Sequence, residues 1–164
     1  MYDWTVLNQT VSETIAGGRV GAPLFVRWTA AAAQQTADLK PLLAEMSAYA
    51  EIWLSANPRR IYATGSADKG HLSVALEYEN GESAVLAITL AHDHPSMNLA
   101  ILGARGSIFH TDAQAPAPTE NSVSGKDERL QHSTVLSTSN MVAAIDRSLL
   151  AKKPVSLSLE GDQT

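Results

Sequence analysis

Apolar residues in this chain recur first at steps of three and four, then at steps of two, and again at helical steps near the end. Leu7, Val11 and Ile15 stand four residues apart and are followed by Gly17-Gly18, which predicts a helix over residues 5–16 with a left-handed stop. After a Gly-Ala-Pro turn, LFVRW is dense in aromatic and β-branched side chains, and residues 23–30 read as a strand. The alanine run 30–33 leaves the end of that strand open. A second helix is expected over residues 38–55, with Asp38 as N-cap, Pro41 in the first turn and Asn57-Pro58 closing it. Leu42, Leu43, Met46, Tyr49, Ala50 and Trp53 share one of its faces, so that face must be buried.

From residue 59 the period falls to two. RRIYATGS reads as one strand, and HLSVALEYENGESAVLAITLAH as a hairpin whose Asn80-Gly81 supplies positive backbone angles. MNLAILGARGSIFHTD gives two more strands about Ala104-Arg105-Gly106. Residues 113–133, rich in Pro, Ser and Asn and without apolar periodicity, read as an exposed loop. TSNMVAAIDRSLLAKK follows as a helix, with Ser139 as N-cap and Lys152-Lys153 complementing its dipole, and PVSLSLE as a last strand. The sum is a single α+β domain over residues 1–164, a largely antiparallel sheet with helices on one face. The other face stays open for dimerisation. In the return strand Val85, Ala87 and Thr89 alternate with Leu86, Ile88 and Leu90, so it is apolar on both sides.

Composition narrows the function. A net charge of -5, with only 12 Lys and Arg scattered along 164 residues, argues against a nucleic-acid binder, which needs a basic stripe to displace counterions. The absence of cysteine excludes thiolate metal sites and thiol nucleophiles. MYDWTVLNQT lacks the basic start and apolar run of a signal peptide, and no stretch reaches the ~20 apolar residues of a membrane span. A cytoplasmic protein is the expectation, and the initiating Met1 favours a complete short chain.

Five segments, in order, resemble the C-terminal domain of the glucose-fructose oxidoreductase, inositol dehydrogenase and rhizopine catabolism (Gfo/Idh/MocA) family. They are VSETIAGGRVGAPLFVRW, LLAEMSAYAEIWLSANPRRIYATG, HLSVALEYENGESAVLAITL, LAILGARGSIFHTD and VAAIDRSLLAKKPVSL. The resemblance implies a sheet whose open face packs on another subunit. It also implies a nicotinamide cofactor held by a preceding Rossmann domain, which this sequence does not contain. Gly103-Ala-Arg-Gly106 cannot replace it, because that string sits between strands with no helix to receive a pyrophosphate. The chain alone is therefore expected to bind no NAD(P), which would require a Rossmann partner.

The same resemblance locates the place for chemistry. Family enzymes carry His-x-x-Asp or a similar pair before the Trp-Leu that ends the second helix. Aligned on Trp53-Leu54, Met46 takes the place of the His and Tyr49 that of the Asp. Methionine transfers no proton, and a phenol with an ordinary pKa of about 10 needs a nearby cation to act near neutrality. Tyr49 is expected to pack with its hydroxyl at a pocket rim, and Glu45 and Glu51, one step off that face, to be solvated. In AHDHPS, His92 and His94 point to one side of an extended segment and could touch a ligand, but no third metal ligand is nearby. Tyr49, Met46, Glu45, His92 and His94 thus form the candidate substrate groove, with no catalytic, cofactor-binding or metal residue assigned. Three roles follow from this pattern. The first is a non-catalytic substrate and oligomerisation domain that forms a homodimer. The second is one subunit of a split NAD(P)-dependent sugar or polyol oxidoreductase, and the third a sugar-binding regulatory module.

Overall fold

A computed structural model describes residues 4–33, 36, 38–91, 96–112 and 137–157. The expected exposed loop over 113–133 lies outside them. The elements are α1 (Thr5–Ala16), β1 (Pro23–Ala33), α2 (Lys40–Leu54), β2 (Pro58–Ser66), a short 3₁₀ turn (Ala67–Lys69), β3 (His71–Tyr78), β4 (Ser83–Ala91), β5 (Ser96–Gly103), β6 (Ser107–Asp112), α3 (Thr138–Ala151) and β7 (Val155–Ser156). The strands form one sheet in the order β6-β5-β1-β4-β3-β2-β7. Every neighbouring pair is antiparallel except β1 and β4. This is the α+β class expected from the periodicity.

The sheet is not a simple meander. β2, β3 and β4 run in sequence, but β1 inserts between β4 and β5. This placement explains why β1 runs through the alanine tract to Ala33: Ala30–Ala33 are hydrogen-bonded partners of Ile88–Ala91 in β4, and Ala30 and Ala31 also pair with β5. Ladders on both sides override the weak strand preference of alanine. Alternation then divides the faces. Val26, Trp28, Val74, Leu76, Leu86, Ile88 and Ile101 are 0 or 1% exposed beneath the helices. Arg27, Thr29, Ala75, Glu77 and Val85, from the same strands, are exposed on the other side.

Local signals were partly right. α2 is preceded by Leu39 in the cap position, although the carboxylate of Asp38 still accepts the Lys40 N–H at 3.0 Å. α3 is capped by Ser137, whose hydroxyl accepts the Asn140 N–H at 3.3 Å, and not by Ser139, which hydrogen-bonds the Ser137 hydroxyl. The β3–β4 connection is wider than a two-residue turn. Only Gly81 has positive φ (95°), and Tyr78 N–H bonds the Glu82 carbonyl across a four-residue loop, Glu79–Glu82.

Two backbone junctions hold the periphery. Ala63 N–H in β2 lies where the two-residue β7 no longer reaches, and the buried Ser148 hydroxyl of α3 accepts it at 2.9 Å while donating to the Lys153 carbonyl at 2.9 Å. At the far side of the sheet the α1–β1 loop runs against the β5–β6 turn. Ala104 and Arg105 donate to the Ala22 and Val20 carbonyls at 2.9 Å each, and the Arg105 guanidinium reaches the Gly18 carbonyl at 2.8 Å. Glycine is required for this approach, because a Cβ at Gly103 would collide with the Val20 carbonyl oxygen, and neither backbone can yield. Gly103→Ala is expected to cost about 2–4 kcal/mol, seen as a fall of roughly 5–12 °C in thermal midpoint.

Candidate functional site

The site implied by the sequence lies on α2, and its surroundings are mostly aromatic. Trp4 stands against Trp28 with ring centroids 4.6 Å apart, and Trp28 against Trp53 at 5.2 Å. Tyr49 stacks on Trp53 at 6.0 Å with an interplanar angle of 24°, and meets Trp4 edge-on at 6.4 Å. The Trp53 indole N–H donates to Asn8 Oδ1 at 2.9 Å, an oxygen that also accepts from the Ser12 hydroxyl at 3.3 Å. This pins α1 to the C-terminal half of α2. Trp4, from the segment before α1, closes the cluster, a role that periodicity could not reveal because the residue precedes the periodic run.

Tyr49 is 4% exposed and Met46 fully buried, so both side chains belong to the core of the described structure. Glu45 is half-buried. Glu51, expected in solvent, is 5% exposed. The reason is that α2 is flanked on both sides, by α1 and α3, as well as floored by β1, β3 and β4. Residues one step off the sheet-facing stripe are therefore covered as well. Lys40 at the start of α2 pairs with Asp146 of α3 at 2.7 Å, and that hydrogen bond holds the lysine above its ordinary pKa. His92 and His94 lie outside the described residues. His71 and His110 are exposed on strands. Among the described residues no group of three His, Cys, Asp or Glu could hold a metal ion.

Electrostatically, the neighbourhood of Glu51 is anionic and dry. Tyr78, at the end of β3, is fully buried; burial first, and then the charge of Glu51, push its phenol well above the ordinary value. Its hydroxyl has no hydrogen-bond partner. A phenol held this way stays neutral and moves no proton near pH 7. The Gly103–Gly106 string is the turn of the β5–β6 hairpin, with Gly103 N–H bonded to the Gly106 carbonyl at 2.9 Å, and no helix follows it.

No family model and no curated protein sequence matches the chain. Solved structures do. A probable dehydrogenase from Thermotoga maritima superposes with a TM-score of 0.70 at 16% identity, over 96% of this chain and 62% of its own. The myo-inositol dehydrogenase of Corynebacterium glutamicum gives 0.68 at 12% identity, over 92% of this chain and 61% of that one. The myo-inositol dehydrogenase of Lactobacillus casei, solved with NAD(H) and myo-inositol, gives 0.67 at 16% identity, over 96% and 60%. The chain has the fold of these dehydrogenases. It spans 60–62% of the length of those three. The fold implied by the Gfo/Idh/MocA resemblance is thus the one found. No helix among the described residues is long and apolar enough to cross a membrane.

Two substitutions probe this region. Tyr49→Ala, which empties the stack on Trp53, is expected to cost about 3–5 kcal/mol in denaturant unfolding, whereas Tyr49→Phe keeps the ring and costs less than about 2 kcal/mol. For Tyr78 the folded state holds the phenolic proton more tightly than the unfolded state does. The stability linked to it is complete below the free phenol pKa of about 10 and is lost as pH rises beyond that value. Tyr78→Phe should therefore raise the alkaline unfolding midpoint and leave the thermal midpoint at pH 7 within about 2 °C.

Proposed function

We propose that this chain serves as the substrate-side and subunit-assembling part of an oxidoreductase of the Gfo/Idh/MocA type, and that it carries out no turnover and holds no nicotinamide by itself. The observation that carries this reading is the uncovered second face of the sheet. Val85, Tyr62, Leu102 and Phe109 are 37, 40, 42 and 71% exposed there, on a fold shared along nearly the whole chain with dehydrogenases. A broad sheet face with such residues is stabilised by a second protein surface. Self-association, as a homodimer through this face, is the assembly proposed.

The groove on α2 fits a non-catalytic role. Met46 and Tyr49 stand where the resemblance puts a proton-transferring pair, and both are enclosed by the aromatic cluster. A second reading is favoured by the partial span of the dehydrogenases: a separately encoded Rossmann protein completes a split sugar or polyol oxidoreductase, with Glu45, Met46, Tyr49, His92 and His94 on the substrate wall. The two readings separate in one set of measurements. Size-exclusion chromatography with light scattering at micromolar concentration is expected to give a dimer, and NAD(H), NADP(H) and inositols at millimolar concentration no rise in thermal midpoint. A stable monomer, or a rise of several degrees with a nicotinamide, overturns the first reading. Nicotinamide reduction by polyols on addition of a Rossmann partner, lost in Tyr49→Phe, would establish the second.

A further inference from the structure

The uncovered face has a pattern that specifies how a second copy would lie on it; this inference rests on the self-association reading above. β4 is the middle strand of seven, with three strands on either side. Its outward side chains, Ser83, Val85, Ala87 and Thr89, are all small. One row of paired residues crosses the face from β6 to β2 in the order Phe109, Ala100, Arg27, Val85, Ala75, Tyr62. The neighbouring row reads Thr111, Asn98, Thr29, Ala87, Ser73, Thr64.

We infer that two copies pack face to face about a two-fold axis running along β4. Rotation about that line lays β1 of one copy over β3 of the other, and β5 over β2, while Val85 meets Val85 at the axis. Large residues then fall on small ones. Tyr62 covers Ala100 of the second copy, and Arg27 covers Ala75. In the second row Thr64 meets Asn98 and Ser73 meets Thr29, polar against polar. An axis shifted by half a strand spacing toward β1 would instead set Tyr62 against Phe109 and Ala75 against Ala100, leaving gaps between bulky pairs.

Charge agrees with the same axis. Arg27 is exposed, donates to Asn98 at 3.3 Å, and takes part in no ion pair among the described residues. Seated over Ala75 of the second copy, its guanidinium lies between the Tyr62 ring, cross-strand from Ala75, and the Glu77 carboxylate two residues along β3. By symmetry each copy gives one Arg27 and receives one, the self-complementarity that an isologous interface requires. The footprint also suffices. Seven strands about 4.8 Å apart and about eight residues long cover roughly 750 Å² per copy, near the usual size of a stable interface.

The chain has no cysteine, so single-cysteine variants report the axis directly. Under mild oxidation Val85→Cys is expected to form a disulfide-linked dimer, as is Ala87→Cys, which guards against a failure specific to one variant. Tyr62→Cys and Ala100→Cys should cross-link when mixed and not singly, and Phe109→Cys alone should not. Arg27→Glu should weaken the dimer by tenfold or more, about 1.4 kcal/mol, by setting a carboxylate against Glu77. If light scattering shows a dimer in which neither Val85→Cys nor Ala87→Cys cross-links, or in which Phe109→Cys alone does, the β4 axis is wrong and self-association stands. A monomer at every concentration removes both.

Discussion

The structure depends on how completely α2 is enclosed. Ten of its 15 residues are buried, a share that a helix resting on a sheet does not reach alone, because such a helix keeps one side in water. α1 closes one flank through the Trp53–Asn8 hydrogen bond and the aromatic cluster, and α3 closes the other, tied by Lys40–Asp146 and by Ser148 at β2. With three helices committed to one side of the sheet, none among the described elements is left for the other. The division into a dry face and a bare face thus follows from the enclosure of one helix.

The enclosure also decides what α2 can do. A site helix in an enzyme shows titratable groups to a cavity and tunes them by partial burial. Here the groups at the expected positions are a thioether and a phenol inside an aromatic stack, and the nearby acid, Glu51, sits in a dry corner beside a phenol that it keeps neutral. Their placement favours packing over proton transfer.

Most elements were legible in the sequence because their signals are local. The four-residue step of Leu7, Val11 and Ile15 gave α1, and the period of two from Arg59 gave the strands. What escaped was set by distant partners. The length of β1 depends on ladders from β4 and β5, the cap of α3 on which serine the chain turns at, and the burial of Glu51 on a second flanking helix. Alternation marked the buried face of β4 correctly, since it needs only one strand to be read. The order of strands was not readable, because the placement of β1 between β4 and β5 leaves no trace in the composition of β1 itself. Of the candidate groove, the position on α2 was legible and its closure was not, since Trp4 contributes a single ring from outside any periodic run.

The insertion of β1 has a consequence for how the chain reaches this state. Trp28 pairs with Leu86 on one side and Leu99 on the other, so neither ladder of β1 can form until much of the chain exists. At synthesis rates of about 5–20 residues per second, that strand waits on the order of several seconds after it is made. During that interval Val26 and Trp28, which end fully buried, have neither their strand partners nor the Tyr49 ring that meets Trp28. Contacts of such long sequence separation are slow to close. The strand at the heart of the finished sheet is therefore among the last to be secured, and it is where a nascent chain is most exposed to wrong partners.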